Sequence, residues 1–154
     1  MTAERSSEIL IDALNVAWWC GAPPSLRFSV ALLVALLRRG DRAQLYFDAS
    51  APHQLSHERD VYEDLLAMTG HVVQAPSRTP ADRLLLRHAR DRSALIVSRD
   101  RFRDHRIRYR RIIDDPARVL SGHVEADTLC VPGLDLVAPL PASARDAVDA
   151  VRGR

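Results

Sequence analysis

The chain has 154 residues, of which 47% are hydrophobic and 27% charged, and its formal net charge is +2. That is the balance of a soluble globular protein large enough to bury a real core, and two cysteines, Cys20 and Cys130, cannot alone build a disulfide framework or a zinc site. All 22 basic residues are arginine, which excludes a P-loop, a Schiff-base enzyme and a phospho-acceptor receiver domain, and no G-x-G-x-x-G dinucleotide fingerprint occurs.

The start, Met1 to Arg5, is polar with no apolar region behind it, so no secretory signal is expected and the cytoplasm is the expected compartment. Glu8-Ile9-Leu10-Ile11 reads as a short buried strand ending in Asp12. After a loop with Pro23 and Pro24, Leu26 to Arg39 reads as a helix that is apolar nearly all round. Arg38 and Arg39 suit the negative end of its dipole, and Gly40 is a natural stop. Its longest apolar stretch, Val30 to Leu37, is far short of the ~20 residues that span a bilayer, so no membrane association is expected. Ala43 to Phe47 is the second expected strand, with Asp48 at its end. His57 to Thr69 is a second helix with Val61, Leu65 and Met68 on one face, and His71 to Gln74 is a third strand.

Thr79-Pro80-Ala81-Asp82 predicts a helix start, with Thr79 as N-cap, Pro80 at the first position and an acid at the third; the helix runs to about Asp91. Ala94 to Val97 predicts a fourth strand, Asp100 to His105 a short helical turn, and Ile112-Ile113 a fifth strand before Asp114-Asp115-Pro116. From His123 to Leu140, short strand-like runs are cut by Pro132, Gly133 and Pro139, and Ala142 to Val151 predicts a last helix. Strand and helix alternate from the start, which indicates an α/β fold with a mostly parallel central sheet and helices on both faces. One domain is expected over residues 1–154, with residues 116–154 as a C-terminal extension.

The placement of aspartates carries the chemistry. Asp12 ends the first strand and Asp100 follows the fourth; if those strands are parallel neighbours, both acids lie where open α/β sheets bind ligands. Asp104 stands four residues after Asp100, one helical turn on, and Asp82 opens the Leu84-Leu85-Leu86 helix. Two carboxylates about 4 Å apart repel by roughly 4 kcal/mol at an effective dielectric near 20. A divalent cation or raised pKa values would offset that, so the cluster reads as a metal site. Alone, Asp82 is also ordinary helix-capping chemistry, and Asp12 and Asn15 suit turn positions. Asn15 would orient a water, a phosphate or Asp12, and Ser98 would cap the turn or ligate a metal-bound water. From Arg83 to Arg111 there are eleven arginines against three aspartates, a local charge of +8 that leaves −6 for the rest. Guanidinium forks match phosphate geometry and Phe102, Tyr109, Trp18 and Trp19 offer aromatic faces, so the segment suits nucleic acid. His53, His57, His105 and His123 show no metal-ligand spacing.

Three motifs, Ile11-Asp12-Ala13-Leu14-Asn15-Val16, Pro80-Ala81-Asp82-Arg83 and Ile96-Val97-Ser98-Arg99-Asp100-Arg101-Phe102-Arg103-Asp104, resemble the NYN-domain ribonucleases of the regnase type, within the PIN-like nuclease superfamily. The resemblance covers residues 8 to 115. It implies a three-layer α/β/α sandwich and Mg²⁺-dependent endonucleolytic cleavage of single-stranded or loop RNA, with Asp12, Asp82, Asp100 and Asp104 as the acids and Asn15 as the amide. No CCCH zinc finger is present, Arg83 stands where the family often has one more acid, and Arg99 where it often has Asn.

The reading from sequence is therefore a metal-dependent endoribonuclease of PIN-like, Rossmann-like architecture. Asp12 and Asp100 would be principal ligands of Mg²⁺ or, as the other ion that fits, Mn²⁺. Asp82 and Asp104 would hold water or support them, and Arg99, Arg101, Arg103 and Arg106 would grip RNA. RNA is the expected partner and a homo-oligomer stays open. Rival readings are an RNA-binding module of this fold with little turnover, or a nuclease acting on DNA.

Overall fold

The computed structural model describes residues 7–68 and 70–153. The polar Met1–Arg5 start and Thr69, the expected last residue of the second long helix, lie outside them. Five strands form one parallel sheet: β1 (Glu8–Asp12), β2 (Arg42–Phe47), β3 (Val72–Gln74), β4 (Leu95–Val97) and β5 (Val119–Leu120), in the order β3-β2-β1-β4-β5. β1 pairs with β2 on one side and β4 on the other, with Ile11 opposite Leu45 and Val97. The chain thus moves outward to β3, then crosses back over β1 to β4. The strand order switches direction at the β1–β4 boundary, where α/β sheets open a crevice beyond their carboxyl ends.

The helices are α1 (Ala13–Ala17), α2 (Leu26–Arg38), α3 (Ala51–Gln54), α4 (Arg59–Leu66), α5 (Ala81–Arg92), α6 (Arg106–Ile113) and α7 (Ala144–Arg152). Alternation along the strands divides them into two layers. Ile9, Ile11, Leu45 and Phe47 face a large core filled by α2, α4 and α7; Leu10, Tyr46 and Ile96 face a smaller one closed by Leu84, Leu85, Tyr109 and Ile112 of α5 and α6. The α/β/α sandwich expected from the alternation is the fold observed. α2 is apolar nearly all round because the sheet lies on one side and α7 and the later strand Leu136–Pro139 on others. Each such fully buried large side chain contributes about 1.5–3 kcal/mol. Ser25 starts α2 by accepting from the Arg27 N–H (3.1 Å), and Glu58 fixes that cap by accepting from Ser25 Oγ (2.7 Å) and the Leu26 N–H (2.8 Å). No described helix is long and apolar enough to cross a membrane.

Three local expectations change. Ile112 and Ile113 are not a strand but the end of α6, their apolar faces spaced with Tyr109 at helical intervals; the fifth strand is Val119–Leu120. Asp100 to His105 is not one helical turn: Phe102 sits at φ 51° and breaks it, leaving a loop and a 3-10 turn over Arg103–His105. At the start of α5, Pro80 occupies the cap position and Thr79 makes no cap bond; Asp48 Oδ1 instead accepts from the Ala81 N–H (3.1 Å).

After β5 the chain folds a second, antiparallel sheet, β6 (His123–Glu125), β7 (Thr128–Val131) and β8 (Leu136–Pro139). Its entry at Gly122 is tight: a Cβ there would lie 2.6 Å from the Trp19 ring and overlap the Cys130 carbonyl. Gly122→Ala is expected to destabilise the fold by about 1–3 kcal/mol through overpacking, read as a lower denaturant midpoint at unchanged slope.

Candidate active site

Asp12 closes β1 at the switch point, and its carboxyl is drawn inward. Ser98, 2% exposed at the end of β4, donates its hydroxyl to Asp12 Oδ2 (2.8 Å) and accepts from the Asp100 N–H (3.0 Å). One side chain therefore ties the end of β1 to the loop after β4. Asp100 is set by its own turn, Oδ1 accepting from the N–H of Phe102 (2.9 Å), whose ring is buried beneath. Burial chiefly pushes the Asp12 carboxyl up to about 7. The negative charges of Asp100 and Asp82 add to the rise, and the Ser98 hydroxyl and Asn15 N–H act against it. Asp100 and Asp82 are thus near enough for their charge to reach Asp12.

Asn15, on α1, uses Oδ1 to accept from the Arg99 N–H (2.8 Å) and from Trp19 Nε1 (3.0 Å). It stitches α1 to the β4 loop rather than turning that oxygen toward the acids. Arg99 is likewise committed to the protein: Nε donates to the Gly122 carbonyl (2.8 Å) and its guanidinium lies 4.8 Å over the Trp19 ring. Arg101 and Arg103 are exposed and meet no carboxylate within ion-pair distance among the described residues, while Arg106 pairs with Asp114 at 3.3 Å.

Asp82, on the first turn of α5, accepts from the Arg83 N–H (2.8 Å) and pairs with His105 Nε2 (3.1 Å). Asp82, Asp100, Asp104 and His105 line a cavity of about 480 Å³, and on the other side of the Asp100–Arg103 loop a larger one of about 790 Å³ carries Arg101, Arg103 and Arg106. Asp104 is exposed and is not among the charges acting on Asp12. Among the described residues, no three acids, histidines or cysteines are close enough to form a finished ligand cage.

Two residues given no catalytic role in the sequence reading belong to the architecture of the site. His105 partners Asp82. Asp48, at the end of β2, accepts from Ala81 N–H, Ser50 N–H (3.1 Å) and Ser50 Oγ (2.7 Å). Burial acts to raise its carboxyl, but those bonds outweigh it and hold Asp48 below the usual value. Its position after an apolar strand is the same signal that marked Asp12. Ser50 also accepts from Gln54 (2.9 Å), which accepts from Trp18 Nε1 (3.1 Å), so the 42%-exposed Trp18 ring is fixed at the same rim.

A carboxyl that ionises near pH 4 unfolded and near 7 folded binds more protons in the native state between those values. Stability therefore falls as pH rises through that window and stays low above it. Asp12→Asn is expected to remove this loss, raising the metal-free stability at pH 8 by up to about 4 kcal/mol, read by urea denaturation from pH 5 to 8.

Two solved structures of nuclear protein-only RNase P 2 (PRORP2) from Arabidopsis thaliana share the fold. One is 16% identical with a TM-score of 0.61, covering 82% of this chain and 29% of that one; the other is 17% identical with a TM-score of 0.63, covering 90% and 31%. The chain thus spans about a third or less of those proteins. Comparison with curated proteins gives no match. The family profile described as Zc3h12a-like Ribonuclease NYN domain matches residues 5–136, and the chain belongs to that ribonuclease family.

Proposed function

We propose that the protein is a divalent-metal-dependent endoribonuclease acting on single-stranded or loop RNA. The observation that carries this reading is the half-buried Asp12 carboxyl, raised to about 7 by desolvation and by Asp100 and Asp82, at the carboxyl end of the central strand of a ribonuclease family fold. An all-oxygen donor set that repels itself is the chemistry that Mg²⁺, or Mn²⁺, fits. Asp12 and Asp100 would be its principal ligands, with Asp82 and Asp104 supporting them or holding its water, and bound there it would supply Lewis acidity and countercharge to the scissile phosphate.

The chain's own residues do the rest. Ser98 occupies Asp12 Oδ2 and holds Asp100 by its N–H, so both acids keep fixed positions before any ion arrives. Asp104, exposed at the cavity mouth, orients the attacking water. Arg101 and Arg103, which line both cavities, and Arg106 in the larger one bind the strand on either side of the cleaved bond. Arg99 and Asn15 keep the loop after β4 against α1. Trp18 offers a base a fixed face at the rim.

Incubation of single-stranded RNA, single-stranded DNA and duplexes with Mg²⁺, Mn²⁺ or EDTA tests the reading. RNA cleavage is expected with either ion, abolished by EDTA and reduced more than about 100-fold in Asp12→Asn and Asp100→Asn. Binding without cleavage in any ion would make the domain an RNA-binding module, and preferred cleavage of DNA would make it a DNA nuclease. Replacing Arg101 and Arg103 by Gln should remove two phosphate contacts and make the slope of log affinity against log salt shallower by about 1.4. Trp18→Ala should raise KM roughly tenfold at near-constant kcat, the loss of one stacked base.

A further inference from the structure

The arginines of α5 and α6 outnumber the acids that neutralise them. α5 leaves the site edge of the sheet at Ala81 and ends at Arg92, which meets Glu8 at the start of β1 (3.0 Å), so it runs down the whole side of the molecule. Its exposed face carries Arg83, Arg87 and Arg90, about 10 Å from first to last. α6 packs beside it, with Arg90 and Arg108 over the Tyr109 ring at 5.4 and 5.8 Å. Packed helices lie roughly 8–10 Å apart, so two rows of guanidinium groups lie side by side. Asp91 takes Arg90 (3.1 Å), and Asp114 is shared by Arg106 (3.3 Å) and Arg110 (3.4 Å). Among the described residues, Arg83, Arg87, Arg108 and Arg111 meet no carboxylate within ion-pair distance. Like charges a turn apart destabilise a helix, so stability gives no reason for such a row.

We propose that this α5–α6 face is an exosite for the phosphodiester backbone of RNA outside the cleavage point, with Arg83, Arg87 and Arg108 as its phosphate contacts. The proposal rests on the ribonuclease reading. The row begins one residue from Asp82, so a strand leaving the acid cavity on this side runs directly onto it. Guanidinium groups repeated at helical intervals suit a polymer of phosphates. An anionic membrane is a poorer fit: Ile107 is fully exposed, but of the other apolar residues of α6, Tyr109 and Ile112 are buried in the core and Ile113 packs against it, so no apolar face is left to insert.

The test uses the full chain and the triple variant Arg83→Gln, Arg87→Gln, Arg108→Gln, with folding checked by circular dichroism and thermal midpoint. Binding in EDTA is measured by fluorescence anisotropy with oligouridylates of about 4 and about 20 nucleotides, sizes that bracket a single binding groove. The expected result is roughly tenfold weaker binding of the longer RNA, a salt slope shallower by about 2, and unchanged binding and Mg²⁺-dependent cleavage of the shorter one. Unchanged affinity for the longer RNA, equal loss for both lengths, or tighter binding to phosphatidylserine vesicles than to RNA overturns the exosite. Because binding is read without metal, failure to cleave in any ion would sink the ribonuclease reading while leaving this result standing.

Discussion

The hydrogen bond from Ser98 to Asp12 is the contact on which the site depends. It joins the ends of two parallel strands at the place where the sheet changes direction, and it does so with a carboxyl taken largely out of water. A buried acid at ordinary pKa would be costly, and the protein meets that cost partly with one hydroxyl and partly by holding the proton. The same hydroxyl accepts from the Asp100 N–H, so the second acid inherits its position from the first contact. The acid cluster is therefore set by backbone and hydroxyl geometry, and the negative charge gathered there is left for something else to neutralise.

Much of this was legible in the sequence because strand ends are punctuated. Two apolar runs each followed by aspartate suggested that β1 and β4 are neighbours, and the register of Ile11 against Val97 bears that out. The alternation of strands and helices gave the layered fold. What failed was short-range. Ile112-Ile113 looked like a strand because a two-residue apolar run carries no period by itself; only its spacing from Tyr109 reveals the helix. The turn after Asp100 carries no mark of its break in the sequence: Phe102 is left-handed at φ 51° and buried, and burial is a tertiary event. Thr79-Pro80 looked like a complete cap, yet the donor at Ala81 is satisfied from β2 by Asp48, 33 residues earlier. Local propensity could not anticipate a partner from another strand.

The arginine-rich segment separates into two populations that composition alone could not divide. Arg99 is absorbed by carbonyls and an indole face, as Arg118, beyond the segment, is by the carbonyls of Ala89 and Ala94, and these act as struts. Arg101, Arg103 and the outer row of α5 remain in solvent, where their charge is felt at a distance. Basic side chains thus stand beside acidic ones in the two cavities that flank the Asp100–Arg103 loop.

The close approach of Gly122 to Trp19 reaches further than its own turn. Trp19 holds Asn15, Asn15 holds the Arg99 N–H, and the Arg99 side chain returns to the Gly122 carbonyl, which closes a ring of contacts from the antiparallel sheet to the loop after β4. The small sheet is thus tied by side chains to the turn that carries Asp100, and a larger residue at Gly122 would disturb the same contacts that hold the Arg99 N–H.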